Sequence, residues 1–367
     1  MAKRIRTDLA LATRVSILAS RASRCASALW MFALATGCGS EAARGRPLSG
    51  LALLDTISIR ETDRQYLARP VSIAMSDRRG FFITDAFTKT VHQVDASGAM
   101  VQTVGRYGSG PGEYLAPVTL AVSNDSILLV ADPHHGGVFE RNLNTDVQSR
   151  LLPLGSAPLL MTAIGDSVIA GSWFRTRNKL FATWRAGDDS VTYFGSIPQR
   201  IRDSPPIQSH SHINLTAWMD TLLYHVGFDD YVYLAMRDGR VVDSILVPRT
   251  RRRGVPTNFD WTKPAPMNRL SLVVGLRRLD DGRLAIVHVD LTTSGRQAFS
   301  DAYVTLISRE QGGACTDLTL PSAHVSILRT VFHGDTLVTL DQLLEGDTVR
   351  NVIRRYVFPD GTCQLQP

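Results

Sequence analysis

The chain has 367 residues, 44% of them apolar and 20% charged, with four cysteines and a formal charge of +6. That length and apolar share suit a packed globular chain and exclude a disordered or fibrous one, while four cysteines are too few to build a disulfide scaffold. Residues 1–37 hold six basic residues and one acidic residue, so the remainder sits near +1, and the high overall basicity is no argument for nucleic-acid binding.

The N-terminal segment is distinct. Lys3, Arg4, Arg6, Arg14, Arg21 and Arg24 precede Ala26–Gly37, which is apolar apart from Ser27 and Thr36. A basic stretch, a dozen apolar residues and then small residues read as an export signal, and the apolar part is too short for a mature transmembrane helix. Ala35-Thr36-Gly37-Cys38 resembles a bacterial lipoprotein signal, in which Cys38 becomes the lipidated first residue. Ala35 stands where leucine is commoner, and ordinary secretion and a retained N-terminal anchor stay open beside lipidation. Gly39 does not match the aspartate signal for inner-membrane retention, so the resemblance implies an outer-membrane or cell-surface address, with a periplasmic or secreted one as the alternative. The expected organisation is a signal peptide over 1–37, a lipidated cysteine and linker over 38–50, and one domain over 51–367.

Leu51–Ile59 reads as a strand standing before the first repeated unit. That unit runs from Val71 through Gly80-Phe-Phe-Ile-Thr-Asp85 to Thr90–Val94, and the next from Val118 through Ser126–Asp132 to Gly137–Leu143. Val71 to Val118 and Asp85 to Asp132 are both 47 residues, which marks a repeat rather than two chance apolar runs. Each unit holds short β-branched or aromatic runs broken by Asp, Asn and Gly, the pattern of a small antiparallel meander. Fainter copies open near Leu160, Ile213, Ser271 and Ile327. One such sheet cannot bury both faces alone, whereas sheets stacked around an axis bury one another. The expected fold is all-β: a six-bladed β-propeller of four-stranded antiparallel blades, with Leu51–Ile59 supplying the outer strand of the last blade and so removing a free edge.

Between the two clear units lies Gly105-Arg-Tyr-Gly108-Ser-Gly110-Pro111-Gly112-Glu113-Tyr-Leu-Ala-Pro117. This run and its flanking strands resemble an NHL repeat, and the chain as a whole resembles the six-bladed NHL-like, TolB-like propellers of bacterial envelope proteins. The resemblance implies a scaffold used for binding and, in some members, for catalysis. Within the run, the glycines serve a compact turn, Pro117 pre-sets entry to the next strand, and Glu113 accepts backbone hydrogen bonds or meets an arginine. The run lacks the Gly-Lys-Ser/Thr ending of a phosphate loop and is flanked by strands. Asp85 and Asp132 hold matching turn positions, where a short carboxylate bonds turn backbone, and Asp290 and Asp341 read as degenerate counterparts.

Candidate contact residues fall in the connections. Val247–Arg269 carries Arg251, Arg252, Arg253 and Trp261, and an earlier connection carries Trp173 and Arg175. Arginine beside tryptophan suits a protein or anionic glycan surface, and an exposed basic loop is the plainer expectation for 251–253. Asp132-Pro-His134-His135 and His210-Ser-His212 offer donor atoms but not three converging ligands, so neither a metal nor a cofactor is expected. His225 and His288 lie in strand runs and are expected to be packed or hydrogen-bonded. Cys315 and Cys363 are the only cysteines of the folded region, and the sequence leaves a disulfide and two free thiols equally open. Three functional classes stay in play: an envelope-anchored binding or assembly scaffold that is not an enzyme and recognises a protein or glycan, a metal-dependent propeller hydrolase or lyase, and a structural or sensory ectodomain. The first is favoured, and no nucleic-acid partner is expected.

Overall fold

The computed structural model describes residues 50–360 apart from 146–148, 175–176, 204–211, 219, 256–269, 292–298, 309–312, 322–328 and 347. The chain divides into two units, Met1–Arg46 and Pro47–Pro367. Only the second contains described residues, so Cys38 and the leader lie outside them, as does Cys363.

Six four-stranded antiparallel sheets follow one another along the chain, each an up-and-down meander. Blade 1 comprises Pro70–Ser76, Gly80–Asp85, Thr90–Val94 and Met100–Val104; blade 2, Thr119–Ser123, Ile127–Asp132, Gly137–Asn142 and Arg150–Pro153. Blade 3 comprises Leu160–Ile164, Ser167–Phe174, Lys179–Arg185 and Thr192–Phe194; blade 4, Ile213–Trp218, Thr221–Val226, Tyr231–Met236 and Val241–Leu246. Blade 5 comprises Ser271–Arg278, Leu284–Leu291, Phe299–Ser308 and Gly313–Thr319. Blade 6 contributes Thr330–His333, Thr336–Glu345 and Thr348–Val357, and its fourth strand is Ala52–Ser58. Among the described residues a single helical turn, Gln199–Arg202, interrupts the β-structure, and no helix is long and apolar enough to cross a membrane.

The first strand of every blade meets the first strands of both neighbours, and blade 6 meets blade 1, so these strands form a closed inner ring. The expected six blades and the closing N-terminal strand are both present. Ala52 pairs with Val357 and Ser58 with Val352, antiparallel. The junction is held further by Asn351 Nδ2, which donates to Glu61 Oε1 at 2.8 Å, and by Arg329 Nη2, which donates to the Pro70 carbonyl at 2.5 Å.

Continuous apolar runs in the second strands follow from burial on both faces. Phe81 and Ile83 pack with Val338, Leu340 and Ile353 of blade 6, while Phe82 points the other way onto Leu128, Val130 and Phe139 of blade 2. Side chains alternate across a strand, so one run serves two interblade cores. The glycine-rich connection joins the second of these. Its backbone pairs Arg106–Tyr107 with Glu113–Tyr114 in parallel, and Tyr114 is fully buried with its ring edge-on to Phe139 at 5.3 Å. Gly105 adopts φ +73°, and a Cβ there would stand 2.3 Å from the Tyr114 ring, so the close approach requires glycine. Burial pushes the Tyr114 phenol up to about 12.

Tyr114 is therefore part of the core and not a loop ornament. Tyr114→Ala is expected to lower the unfolding free energy by about 3–5 kcal/mol, the range for deleting a buried aromatic ring. Urea unfolding checks this, and a loss under about 1 kcal/mol would show that the blade 1–2 core is sealed without it.

Candidate functional site

An up-and-down meander fixes which loops share a face. Turns between second and third strands, and connections from each outer strand to the next inner strand, emerge together on what is here called the upper face; the remaining turns form the lower face. Of the aspartates singled out from the sequence, Asp85, Asp132 and Asp290 lie at the upper ends of second strands, whereas Asp341 sits within its strand and not at the expected turn, because the blade 6 hairpin is longer. Asp85 accepts from the Arg69 amide at 2.7 Å and from the Phe87 and Thr88 amides at 2.8 and 2.9 Å. Asp132 does the same for Leu115 and Ala116 at 2.8 and 2.9 Å and for its own turn at His134 and His135. Each carboxylate thus ties the incoming connection to the turn of its own blade. Burial opposes ionisation of Asp132, but the Ala116 and Leu115 amides and His135 outweigh it and hold its carboxyl below the ordinary range.

The counterparts diverge. Asp290 accepts from Ser271 Oγ at 2.6 Å and pairs with Arg253 Nη2 at 2.9 Å. Asp341 accepts from Thr339 Oγ1 at 3.1 Å, with Arg354 at 3.7 Å. Glu113 takes both Arg106 Nε, at 2.7 Å, and the Gly110 amide, at 2.8 Å. Gly108 also crowds that carboxylate, Pro111 and Gly112 complete the turn, and Pro117 is buried just ahead of the blade 2 inner strand.

The arginine cluster is only in part the exposed loop the sequence implied: Arg249 and Arg253 keep much of their side chains in solvent, Arg251 less, and Arg252 is interior. Arg252 is 3% exposed; its Nη1 meets Asp230 Oδ1 at 2.6 Å and its Nη2 donates to the Asp229 carbonyl at 2.7 Å. Arg249 reaches Asp230 Oδ2 at 2.7 Å, Arg251 reaches Asp301 at 3.2 Å while lying 4.3 Å over the Tyr303 ring, and Arg253 holds Asp290. Local sequence could not show this, because the acids that claim these guanidinium groups arrive from blades 4 and 5. Burial works against ionisation of Asp230, and Arg252 and Arg249 overcome it. Burial raises the neighbouring Asp229 despite Tyr233 and Arg200. Trp261 and Arg175 lie outside the described residues, as do the side chains of Trp173 and Cys315, which occupy strands of blades 3 and 5.

Two histidines lie beneath this lattice. His225 and His288 are both fully buried. His225 Nε2 is 2.8 Å from the Asp229 carbonyl, and the His288 ring stacks on Tyr303 at 4.8 Å. Burial and then Arg252 push the His225 imidazole down to about 3 and hold His288 well below its ordinary value. His134 and His135 sit in the Asp132 turn, with His135 Nδ1 3.2 Å from Asp132 Oδ2; His210 lies outside the described residues. Among the described residues no three His, Cys, Asp or Glu side chains form a group that would hold a metal.

The rest of the upper face has another character. Phe87, in the blade 1 turn, is 71% exposed; Tyr107, in the glycine-rich connection, is 67% exposed; Tyr66, entering blade 1, is also exposed. In blade 6 the second and third strands run four residues beyond Asp341, roughly 13 Å at strand rise. Near the tip of that hairpin the cross-strand pair Leu344 and Val349 is exposed, Leu344 at 75%. These residues escaped the sequence reading because isolated aromatics in loops carry no periodic signal.

The architecture defined by these elements is an all-β six-bladed propeller. The sequence model of the family DUF5128, described as a 6-bladed beta-propeller, matches residues 49–153. Among solved structures the chain is similar to a member of the DUF4221 family from Bacteroides vulgatus, at 11% identity over 84% of this chain and 97% of that one, with a TM-score of 0.61. It is also similar to a Bacteroides fragilis protein described as exported, at 12% identity over 83% and 95% of the two chains, with a TM-score of 0.54. Likeness to a virginiamycin B lyase from Staphylococcus aureus is more distant, at 12% identity over 83% and 99% and a TM-score of 0.49, and carries no argument. At these identities the likeness shows the fold alone. No curated protein matches.

Two outcomes follow from the buried lattice. Arg252→Met takes the buried donor from Asp230 Oδ1 and from the Phe228 and Asp229 carbonyls, while Arg249 and Arg200 stay on Asp230 Oδ2, and is expected to cost about 2–3 kcal/mol, whereas Arg251→Met, which breaks a pair with the exposed Asp301, is expected to cost no more than about 1 kcal/mol. Equal losses in urea unfolding would refute the interior role of Arg252. The histidines set a pH dependence. Neutral in the folded chain and returning towards 6.5 when unfolded, each contributes fully above pH 6.5 and progressively less as pH falls below it. In His288→Phe the drop in unfolding free energy between pH 7 and 5 is expected to shrink by about 2 kcal/mol; an unchanged drop rules the account out.

Proposed function

We propose that this protein is a non-enzymatic binding or assembly scaffold that docks a protein or glycan on the upper face of blades 6, 1 and 2. One observation carries the reading. Among the described residues, every large apolar side chain that is strongly exposed lies either on an outer strand or on the upper face, and none lies on a lower-face turn. Scattered exposed apolar residues need no explanation, but confinement to one end of a rigid ring marks a contact surface. Tyr66, Phe87 and Tyr107 provide flat rings that suit either a protein surface or a sugar face, and the blade 6 hairpin adds an apolar wall. The upper-face carboxylates described above are engaged in holding connections and turns, which supports recognition over general acid–base work.

The finer assignment draws on the sequence. The glycine-rich connection supports kinship with NHL-like and TolB-like propellers, and the segment ending at Cys38 supports export followed by acylation. In this reading a lipid-anchored chain presents its propeller at the outer membrane or cell surface. Arg251 and Arg253 remain a second candidate for contact, to which the sequence adds Trp173, Arg175 and Trp261 outside the described side chains, and Arg252 holds their connection from within.

The test uses the full chain immobilised against envelope extract. Tyr66→Ser, Phe87→Ser and Tyr107→Ser combined are expected to abolish capture, while the outer-strand control Val241→Ser with Val242→Ser retains it. Protease treatment of the extract removes a protein partner and periodate treatment a glycan. Capture by the triple variant equal to wild type overturns the assignment; loss with Trp261→Ser and Arg251→Ser instead moves the site to the second surface.

A further inference from the structure

Along the ring axis the inner strands of blades 3 to 6 line a solvent-open cavity of about 140 Å³, whose polar wall is made by Thr162, Asn214, Thr216, Arg277 and Thr330, with Phe332 among the apolar neighbours. Three buried atoms of these side chains have no hydrogen-bond partner among the described residues: Asn214 Oδ1, Thr330 Oγ1 and Arg277 Nε. Asn214 and Thr330 are 1% and 8% exposed. The Asn214 amide is oriented by its own nitrogen, which donates to the Val273 carbonyl at 2.8 Å and leaves the oxygen over. Arg277 is the one charged side chain among the lining residues. It contrasts with Arg249, Arg251, Arg252 and Arg253, each of which meets a carboxylate.

These requirements differ and so specify chemistry. A leftover amide oxygen asks for a donor, a guanidinium without a counter-charge asks for an anion, and threonine hydroxyls exchange hydrogen bonds with either. Leaving such atoms desolvated and unpaired is costly, and the cavity has room for several water-sized groups. We propose that the axial cavity binds a small hydroxycarboxylate, its carboxylate on Arg277 and its hydroxyl groups on Asn214 Oδ1 and the threonines, in a site separate from the upper-face docking surface.

The probe is D-gluconate, titrated into the full chain and followed by saturation-transfer NMR and calorimetry. Saturable binding is expected, with D-glucitol, which keeps the hydroxyls and lacks the carboxylate, at least about tenfold weaker. Arg277→Met is expected to weaken gluconate by about tenfold or more, with no change in Tm, since the side chain has no hydrogen-bond or ion-pair partner among the described residues. Thr330→Val, which preserves shape, is expected to weaken it by about threefold to tenfold. The Tyr66, Phe87 and Tyr107 triple variant keeps gluconate binding, which separates this proposal from the docking surface. No gluconate binding up to about 10 mM, equal affinity for glucitol, or full affinity in Arg277→Met each overturns it and leaves the orphan atoms to water.

Discussion

Closure of the ring is the constraint on which the other features depend. Every blade carries apolar side chains on both faces, as Phe81 and Phe82 show by packing onto blades 6 and 2 respectively. A first or last blade in an open array would leave one such face in water. The chain avoids this by lending Ala52–Ser58, from its N-terminal side, to the blade that contains Thr348–Val357. A contact spanning nearly the whole domain thereby becomes a strand ladder, and an exposed edge at the seam is removed. Glu61, Asn351 and Arg329 then tie the connection across the same seam.

A closed ring leaves its connections as the variable part, and the upper face shows two uses of equivalent positions. Over blades 1 and 2 the acid at the end of the second strand gathers backbone amides, joined at Asp132 by His135 of its own turn, and no arginine claims it, so the loops stay free to present Phe87 and Tyr107. Over blades 4 and 5 the acids are met by arginine side chains, and Arg252 with Asp229 and Asp230 converts the connection into part of the interior. Desolvated ion pairs of this kind are a poor source of net stability but a strong penalty on any arrangement that separates them, so they specify position. One arc of the face is accordingly stitched shut and the opposite arc open. A comparable node joins blades 2 and 3, where the buried Glu140 takes Trp184 Nε1 at 2.6 Å, the Gly187 amide and Arg150.

Packing inside the ring and the recognition proposed for its upper face make separate demands. Inner strands approach one another closely enough to bury Asn214 and Thr330 but not to fill the axis, so the same closure that seals the blades leaves an axial cavity open to solvent. Its polar wall is assembled from strands belonging to four different blades. The proposed docking face and the axial cavity draw on different side chains of one scaffold.

Much of the fold was legible in the chain itself. Inner strands begin at Leu160, Ile213 and Ser271, where the faint repeats place them, and at Thr330, three residues beyond Ile327. Blade number, the closing strand and the turn positions of Asp85 and Asp132 were readable for the same reason: strand period, turn residues and a constant repeat are local properties of sequence. Tertiary structure alone decided that Arg252 is interior, that Tyr66, Phe87 and Tyr107 share an exposed face, and that Asn214, Arg277 and Thr330 line one cavity with atoms unpaired. Those facts depend on which groups from distant blades come within hydrogen-bond reach, and a side chain's partners, unlike its backbone period, are not written in its neighbours along the chain.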